Sequence, residues 1–204
     1  MKHLFASLFF VFSLSIAVHA QSSEAQLLKE PASWTFERFN LPPVFAPDFP
    51  YIGAEELRFS PGMFNKDSTD YFTYAFVAQL NNRSSISKDD ISNYLLSYFK
   101  GLCSSTARDR KLVVDTSKIT VAVDRKPGVS SKEIIYNALL HVFGVFADGA
   151  AVQLNMEVKV LTDKTANQVY LIFITSPQAK SGDAWKPLYS IQQNFRLPAE
   201  KKKL

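Results

Sequence analysis

The strongest strand pattern in the first half of the chain is Tyr71-Phe72-Thr73-Tyr74-Ala75-Phe76-Val77-Ala78-Gln79-Leu80. Aromatic and β-branched residues dominate this run, as is typical of a β-strand. Successive side chains of a strand point to opposite faces, and the face that begins at Phe72 is more apolar than the face that begins at Tyr71. The pattern therefore predicts a sheet with one face against the core and a second, more polar face.

Further strand patterns lie on both sides of this run, at residues 34–39, 55–59, 119–123, 152–161 and 169–175. The last of them is apolar at almost every position, which favours a central strand. The turn at 162–167 joins the last two patterns as an antiparallel hairpin. Residues 133–146 are also apolar almost throughout, so the pattern of this segment fits either a helix or a strand. The turn pair Asp148-Gly149 that follows favours the strand.

Two segments have the spacing of amphipathic helices. Residues 87–104 begin with Ser87, a good N-cap, and continue with Asp89 and Asp90, whose charges complement the positive end of the helix dipole. The second helix is predicted at 183–195, where apolar residues recur on one side. We therefore expect the α+β class, with an antiparallel sheet of about five to six strands and two main helices packed on one face.

Residues 21–196 are predicted to form a single domain, because no composition shift or repeat divides them. The polar residues 21–33 are expected to be loosely ordered. Residues 34–50 carry four prolines, which exclude a helix, so we expect an extended strap whose aromatic side chains pack on the body. An aromatic shelf for a sugar or peptide is the functional alternative for this strap. Residues 197–204 are predicted to be a basic, disordered tail.

Residues 1–20 have the pattern of a secretory signal peptide. Lys2 supplies the positive start, an apolar run of about 15 residues follows, and small residues precede a cut between Ala20 and Gln21. A retained membrane anchor is the alternative, but the run is shorter than the roughly 20 residues that span a bilayer. We expect an exported protein, periplasmic or secreted, with no membrane span after cleavage.

The formal net charge of +4 does not indicate a nucleic-acid partner. Cleavage would remove Lys2, and Lys201, Lys202 and Lys203 in the tail equal the remaining surplus of +3. Nucleic-acid binding needs a basic stripe on the folded body, and the composition leaves no excess charge for one. The partner is left unknown, with an envelope protein or a small ligand as the candidates.

The sequence offers little catalytic chemistry. One Cys and three His exclude an internal disulfide framework and make a histidine metal cluster improbable. Residues 65–70 space oxygen ligands as a calcium loop does, but Asp70 stands where the loop needs Gly and Phe76 stands where it needs Glu. No phosphate-binding or dinucleotide-binding glycine motif occurs. We therefore predict no cofactor and no metal site.

The most specific catalytic hypothesis is a pair of Cys103 as nucleophile and His141 as base, since a thiolate nucleophile needs a nearby base or cation. Cys103, however, shares the apolar side of the first predicted helix, where a buried cysteine is ordinary. If 133–146 is a strand, His141 shares a side with Leu139 and Phe143. The interpretation of Cys103 as a buried core residue is favoured, and no catalytic residue is predicted.

Glu55, Glu56 and Arg58 form a charged group on one predicted strand. Adjacent strand residues point to opposite faces, so Glu55 and Glu56 cannot act together on one bond, whereas Glu56 and Arg58 share a face. An ion pair within the strand is the default interpretation. A polar ligand contact is the alternative, and it makes Glu56, Arg58 and Trp34 the candidate ligand-binding residues.

The run Gly53-Ala54-Glu55-Glu56-Leu57-Arg58-Phe59-Ser60-Pro61-Gly62-Met63-Phe64, followed by Tyr71-Phe72-Thr73-Tyr74-Ala75-Phe76, resembles a group of uncharacterised bacterial secreted proteins. The upstream Leu41-Pro42-Pro43-Val44-Phe45-Ala46-Pro47 and the late Ser176-Pro177 and Trp185 extend the resemblance over most of the mature chain. The resemblance implies bacterial export and one continuous domain, and it assigns no site.

Together these patterns predict a non-catalytic binding or interaction module that is exported. Two alternatives stay open. One is an exported hydrolase whose carboxylates carry no recognisable motif, and the other is an accessory subunit of a cell-envelope complex.

Overall fold

The computed structural model describes residues 26–129 and 133–198. The predicted signal peptide, its cleavage site at Ala20 and Gln21, and the tail lysines lie outside the described residues. The described chain forms seven strands and two α-helices. In chain order they are β1 Thr35–Leu41, β2 Gly53–Phe59, β3 Tyr74–Asn81, α1 Lys88–Arg110, β4 Thr120–Arg125, β5 Ile134–Phe143, β6 Ala151–Asp163, β7 Gln168–Ser176 and α2 Trp185–Asn194.

The strands form one sheet in the order β1-β2-β3-β7-β6-β5-β4, and all neighbours are antiparallel. This confirms the mixed α+β class and the hairpin of β6 and β7. The sheet has seven strands rather than the five to six predicted, because residues 134–143 form β5. Along β5 the buried Ala138, Leu140 and Val142 alternate with the exposed Leu139 and His141, as the strand periodicity requires.

Strand β3 begins at Tyr74, three residues later than the pattern of residues 71–80 predicts. Phe72 has a φ of 50°, a left-handed backbone conformation that a strand cannot contain. Its amide donates to the Met63 carbonyl at 3.0 Å, and the Ser60 amide donates to the Thr73 carbonyl at 3.1 Å. Residues 71–73 therefore close the loop that precedes β3.

Helix α1 packs on one side of the sheet, which we call the α1 side. Ser87 caps it, as the sequence predicted, and the structure adds a reciprocal hydrogen-bonded pair between Ser87 and Asp90. The helix continues past Ser104 to Arg110, because Ala107 extends the buried stripe by one turn. The buried residues of α1 contact the alternate side chains of the central strands, including Phe76 and Phe173, whose ring centroids lie 4.2 Å apart.

Helix α2 packs on the opposite side of the sheet, which we call the α2 side. Trp185 and Leu188 of α2 contact Val77 of β3 and Ile172 of β7 in a separate apolar cluster. The prediction of two helices on one face was therefore wrong. The central strands are buried on both faces, and the side of β3 that we expected to be polar carries the fully buried Ala75 and Val77. Among the described residues, no helix is both long and apolar enough to cross a membrane.

The proline-rich residues 42–50 pack along one side of α1. Phe45 makes an edge contact with Tyr98 at 5.0 Å between ring centroids, and Phe49 makes one with Tyr94 at 4.7 Å. Gly101 permits this close approach, since a Cβ there would lie 2.6 Å from the Phe45 carbonyl oxygen. Trp34, at the start of the predicted strap, lies instead on the α2 side.

We expect Gly101→Val to destabilise the protein by about 1–3 kcal/mol, because overpacking would push residues 45–46 away from α1. Ser104→Val is the matched control, since Ser104 is exposed one turn further along the same helix. Urea unfolding of both variants measures the difference. Equal stabilities for the two variants would show that the contact at Gly101 does not constrain the chain.

Candidate functional site

Three buried carboxyl groups lie on the sheet: Glu55, Glu56 and Glu157, with exposures of 0%, 0% and 1%. A buried carboxylate is unfavourable unless it is hydrogen-bonded or paired. The hydrogen-bond partners of each carboxyl group therefore show which part of the chain it stabilises. The first is on the α1 side, and the other two are on the α2 side.

Glu55 lies in the aromatic core between β2 and α1. Tyr94 and Tyr98 donate their hydroxyl groups to its two oxygens at 2.7 and 2.8 Å. Burial raises the pKa of the Glu55 carboxyl from 4.5 to about 8, although the two hydroxyl groups act in the opposite direction. At neutral pH the group is therefore mostly a neutral acid that belongs to the core.

Glu56 faces the other side and binds main-chain atoms near the start of the described chain. One carboxylate oxygen accepts from the amides of Leu27 and Leu28 at 2.7 and 2.9 Å. The other accepts from the Arg38 guanidinium, also at 2.7 Å. The carboxylate thereby connects residues 27–28 to the sheet.

Arg58, two residues further along β2, binds main-chain carbonyl oxygens of the same region. Its guanidinium donates to Leu28 at 3.0 Å, to Lys29 at 3.1 Å and to Trp34 at 2.8 Å. It also lies 4.8 Å from the ring centroid of Phe36. We call Glu56 and Arg58 the backbone clamp, and residues 27–34 the N-terminal segment.

The structure thus brings together the three residues singled out in the sequence, Glu56, Arg58 and Trp34. All three are buried, and the N-terminal segment occupies the polar groups of the clamp. Their role toward an external ligand stays a prediction.

The third carboxylate, Glu157, is shared by two lysines at the border of α2. Lys126 contacts one carboxylate oxygen at 2.7 Å, and Lys180 contacts the other at 3.2 Å. The Tyr189 hydroxyl also donates to the Lys180-bound oxygen at 3.4 Å. Both lysine side chains keep about 30% exposure. Glu157 is therefore buried itself, while both of its lysine partners are partly exposed to solvent.

Lys180 is the more constrained of the two lysines. It donates to the Asn137 side chain at 2.6 Å and lies 5.5 Å from the Trp185 ring centroid. Burial lowers the pKa of Lys180, while the Glu157 carboxylate raises it and the Lys126 charge lowers it. Two ammonium groups share one carboxylate, so this cluster has a local positive excess.

Next to this cluster, the α2 side of β4, β5 and β6 is exposed. Its exposed residues form cross-strand rows, with Thr120 beside His141 and Gln153, and Ala122 beside Leu139. We call these five residues the open face. Leu139, with 37% of its surface exposed, is the large apolar residue among them. The open face is an accessible part of the sheet, and we take it with Lys126 and Lys180 as the candidate functional site.

The possible Cys103–His141 pair is not formed. Cys103 is buried on the α1 side, where its thiol contacts the Phe143 carbonyl oxygen at 3.8 Å, and burial raises its pKa. His141 belongs to the open face, so the sheet separates the two side chains. A thiol with a raised pKa and no base beside it is a poor nucleophile.

No group of three or more metal-binding side chains occurs within residues 26–129 and 133–198. In the loop that resembles a calcium site, Asp70 accepts from the Gly62 amide at 3.0 Å and from the Ser68 hydroxyl. Asn65 likewise accepts from the Asp67 amide at 3.1 Å. These oxygens stabilise the turn that leads into β3.

Comparison of the chain with known protein families, curated proteins and solved structures finds no significant match. The resemblance to bacterial secreted proteins therefore stays a prediction. Interpretation of the site rests on its own geometry.

Sequence reasoning did not identify Lys126, Lys180 and Glu157 as a group. Lys126 lies in a turn, Lys180 lies in a loop before α2, and Glu157 occupies a position on β6 that the alternating pattern marks as half-exposed. The three are separated by more than twenty residues, and only the antiparallel pairing of β5, β6 and β7 brings them together.

We expect the Glu55 carboxyl to make stability depend on pH. Between pH 4.5 and about 8 the folded chain holds a proton that the unfolded chain has lost. Stability is therefore full below pH 4.5 and falls as the pH rises, at up to about 1.4 kcal/mol for each pH unit. Glu55→Gln should flatten this decline, as measured by urea unfolding from pH 5 to pH 8.

Asp89→Asn serves as the control for this experiment, because it removes an exposed carboxylate at the start of α1. Its pH profile should follow that of the unaltered chain. A profile for Glu55→Gln as steep as that of the unaltered chain would mean that other groups cause the decline.

Proposed function

We propose that this protein is an exported, non-catalytic binding module that uses its open face to bind a partner in the cell envelope. The observation that carries the proposal is the uneven cover of the sheet. The N-terminal segment and α2 cover the α2 side of β2, β3 and β7, whereas Leu139 and His141 of β5 remain exposed. A sheet face left uncovered beside a covered one is a natural surface for association.

The chemistry of this surface supports a partner with an acidic group at one edge. The five residues of the open face include no Asp, Glu, Lys or Arg, while its border carries Lys126 and Lys180 around a single carboxylate. Cations at the rim of an interface favour encounter with acidic partners and determine their orientation more than they add affinity. Lysines held by Glu157 and Asn137 also lose less side-chain entropy on binding.

The hydrolase alternative has less support. Carboxylate catalysis needs two carboxyl groups that converge on one bond in an accessible cleft. Glu55 and Glu56 lie on opposite sides of the sheet, and Glu56 is occupied by the N-terminal segment. Within the described residues, a cavity of about 200 Å³ is lined by Pro50, Tyr51, Ile52, Asn81, Asn82 and Arg83. None of these lining residues has a carboxyl group in its side chain.

The alternative of an accessory subunit differs from a binding module only in how permanent the partner is. The same open face would be the interface in both cases. A stable complex recovered in constant proportion would favour the subunit, and a salt-sensitive complex would favour the binding module.

A carboxylate placed on the open face should prevent binding. We expect Leu139→Glu to lower partner recovery from an envelope extract by at least about tenfold, since it adds a charge to the centre of the surface. The measurement is quantitative mass spectrometry of proteins that co-purify with the folded variant and with the unaltered chain.

Ile52→Glu is the matched control, because Ile52 is 64% exposed and precedes β2 at the other half of the sheet. It should recover the partner normally. Equal recovery by Leu139→Glu would exclude the open face, and recovery of no specific partner by the unaltered chain would exclude the binding function.

Export gives a separate expectation. Expression of the full chain in a bacterial host should yield protein in the periplasm or medium that begins at Gln21, as read by N-terminal sequencing. A cell-associated chain that still begins at Met1 would contradict this part of the proposal.

A further inference from the structure

The cavity of about 200 Å³ lies between the segment that precedes β2 and the end of β3. Its walls are apolar at Pro50 and Ile52, aromatic at Tyr51 and cationic at Arg83. Liquid water occupies about 30 Å³ per molecule, so this volume corresponds to about six or seven non-hydrogen atoms. The walls therefore match a small molecule that has one polar end and a short apolar part.

Main-chain hydrogen bonds from separate parts of the chain build the polar wall. The Arg83 amide donates to the Asn167 carbonyl before β7 at 3.0 Å, and the Asn81 amide donates to the Ile52 carbonyl at 2.8 Å. Asn82, which stands between the two donors, has a φ of 57° and turns the chain at the end of β3. These contacts hold residues 81–83 beside residues 50–52.

The Arg83 guanidinium is only partly paired. It lies 4.9 Å from the Tyr51 ring centroid, and Nη2 lies 3.8 Å from Oδ1 of Asp90, which is beyond hydrogen-bond distance. The other oxygen of Asp90 accepts from the Ser87 amide at 2.9 Å. Nη1 of Arg83 is buried and has no hydrogen-bond partner within the described residues. A buried N–H group without an acceptor is unfavourable, so an acceptor added at Nη1 would be stabilising.

A carboxylate is the acceptor that suits this wall best. The planar guanidinium can bind both oxygens of a carboxylate through two parallel hydrogen bonds. Only one cationic side chain lines the cavity, and the Asp90 carboxylate lies near it, so a monovalent anion is favoured over a divalent one. The apolar side chains of Pro50 and Ile52 are available for a hydrocarbon chain.

We propose that this cavity binds a short-chain monocarboxylate, with the carboxylate group on Arg83 and the hydrocarbon chain against Pro50 and Ile52. The cavity adjoins β2 and β3, whereas the open face lies on β4, β5 and β6. The small acid and the proposed envelope partner therefore bind at separate places, and the loss of one leaves the other intact.

A titration of the isotopically labelled full chain with sodium butyrate at constant ionic strength and pH 7 tests the proposal. We expect saturable chemical-shift changes at the amides of residues 51–52 and 81–83. Butyramide has the same shape without the charge and should bind at least about tenfold more weakly. Equal binding of the two compounds, or no saturable change with butyrate, overturns the proposal. Tighter binding of inorganic phosphate than of butyrate overturns the assignment to a monocarboxylate.

Substitutions at Arg83 identify the group that binds the carboxylate. Arg83→Gln should lower the affinity for butyrate at least about tenfold, and Arg83→Lys should also lower it, because lysine lacks the planar fork. Arg108→Gln is the matched control, since it makes the same change of charge at the far end of α1, where the side chain is 77% exposed. It should bind butyrate normally. Normal binding by Arg83→Gln refutes the site, and if that variant does not fold, the comparison of butyrate with butyramide on the unaltered chain decides.

Discussion

The structure depends on the burial of both faces of its central strands. Phe76 of β3 and Phe173 of β7 stack on the α1 side, while Val77 and Ile172 pack on the α2 side, and all four are fully buried. A strand buried on both faces needs a separate covering layer on each side. This requirement places α1 on one side of the sheet, and it places α2 with the N-terminal segment on the other.

The same burial explains the roles of the three carboxyl groups. Glu55, beneath α1, is held by tyrosine hydroxyl groups and is mostly neutral at neutral pH. Glu56 and Glu157 face the thinner layer, where they bind main-chain amides and lysines respectively. A buried charge without partners would cost several kcal/mol, so each of these groups determines which segment lies above it. These polar interactions therefore set the positions of α1, α2 and the N-terminal segment on the sheet more specifically than apolar contacts alone would.

Sequence patterns were sufficient for the elements whose signal is local. The N-cap at Ser87, the alternation of β6 and the turn before β7 are each encoded within a few residues. The placement of α2 was not local, because it depends on whether Ala75 and Val77 face solvent or a helix. These residues are small or β-branched and tolerate either environment. The Lys126–Glu157–Lys180 cluster could not be predicted for a similar reason. Only the antiparallel order of the strands brings these three residues together.

The location of the open face follows from the dimensions of the covering elements. Seven strands spaced by about 4.8 Å make a sheet about 29 Å wide. On the α1 side, a 23-residue helix about 35 Å long is joined by residues 42–50 and by the loop before β3, and together they cover most of this width. On the α2 side, a ten-residue helix about 10 Å wide and the N-terminal segment pack on β2, β3 and β7, and Tyr189 of α2 extends to Glu157 on β6. In the described residues no further element covers the open face, where Thr120, Ala122, His141 and Gln153 are small or polar and Leu139 is the exposed apolar residue. The open face therefore begins where α2 ends, at the cluster that Lys126, Glu157 and Lys180 form beside Tyr189.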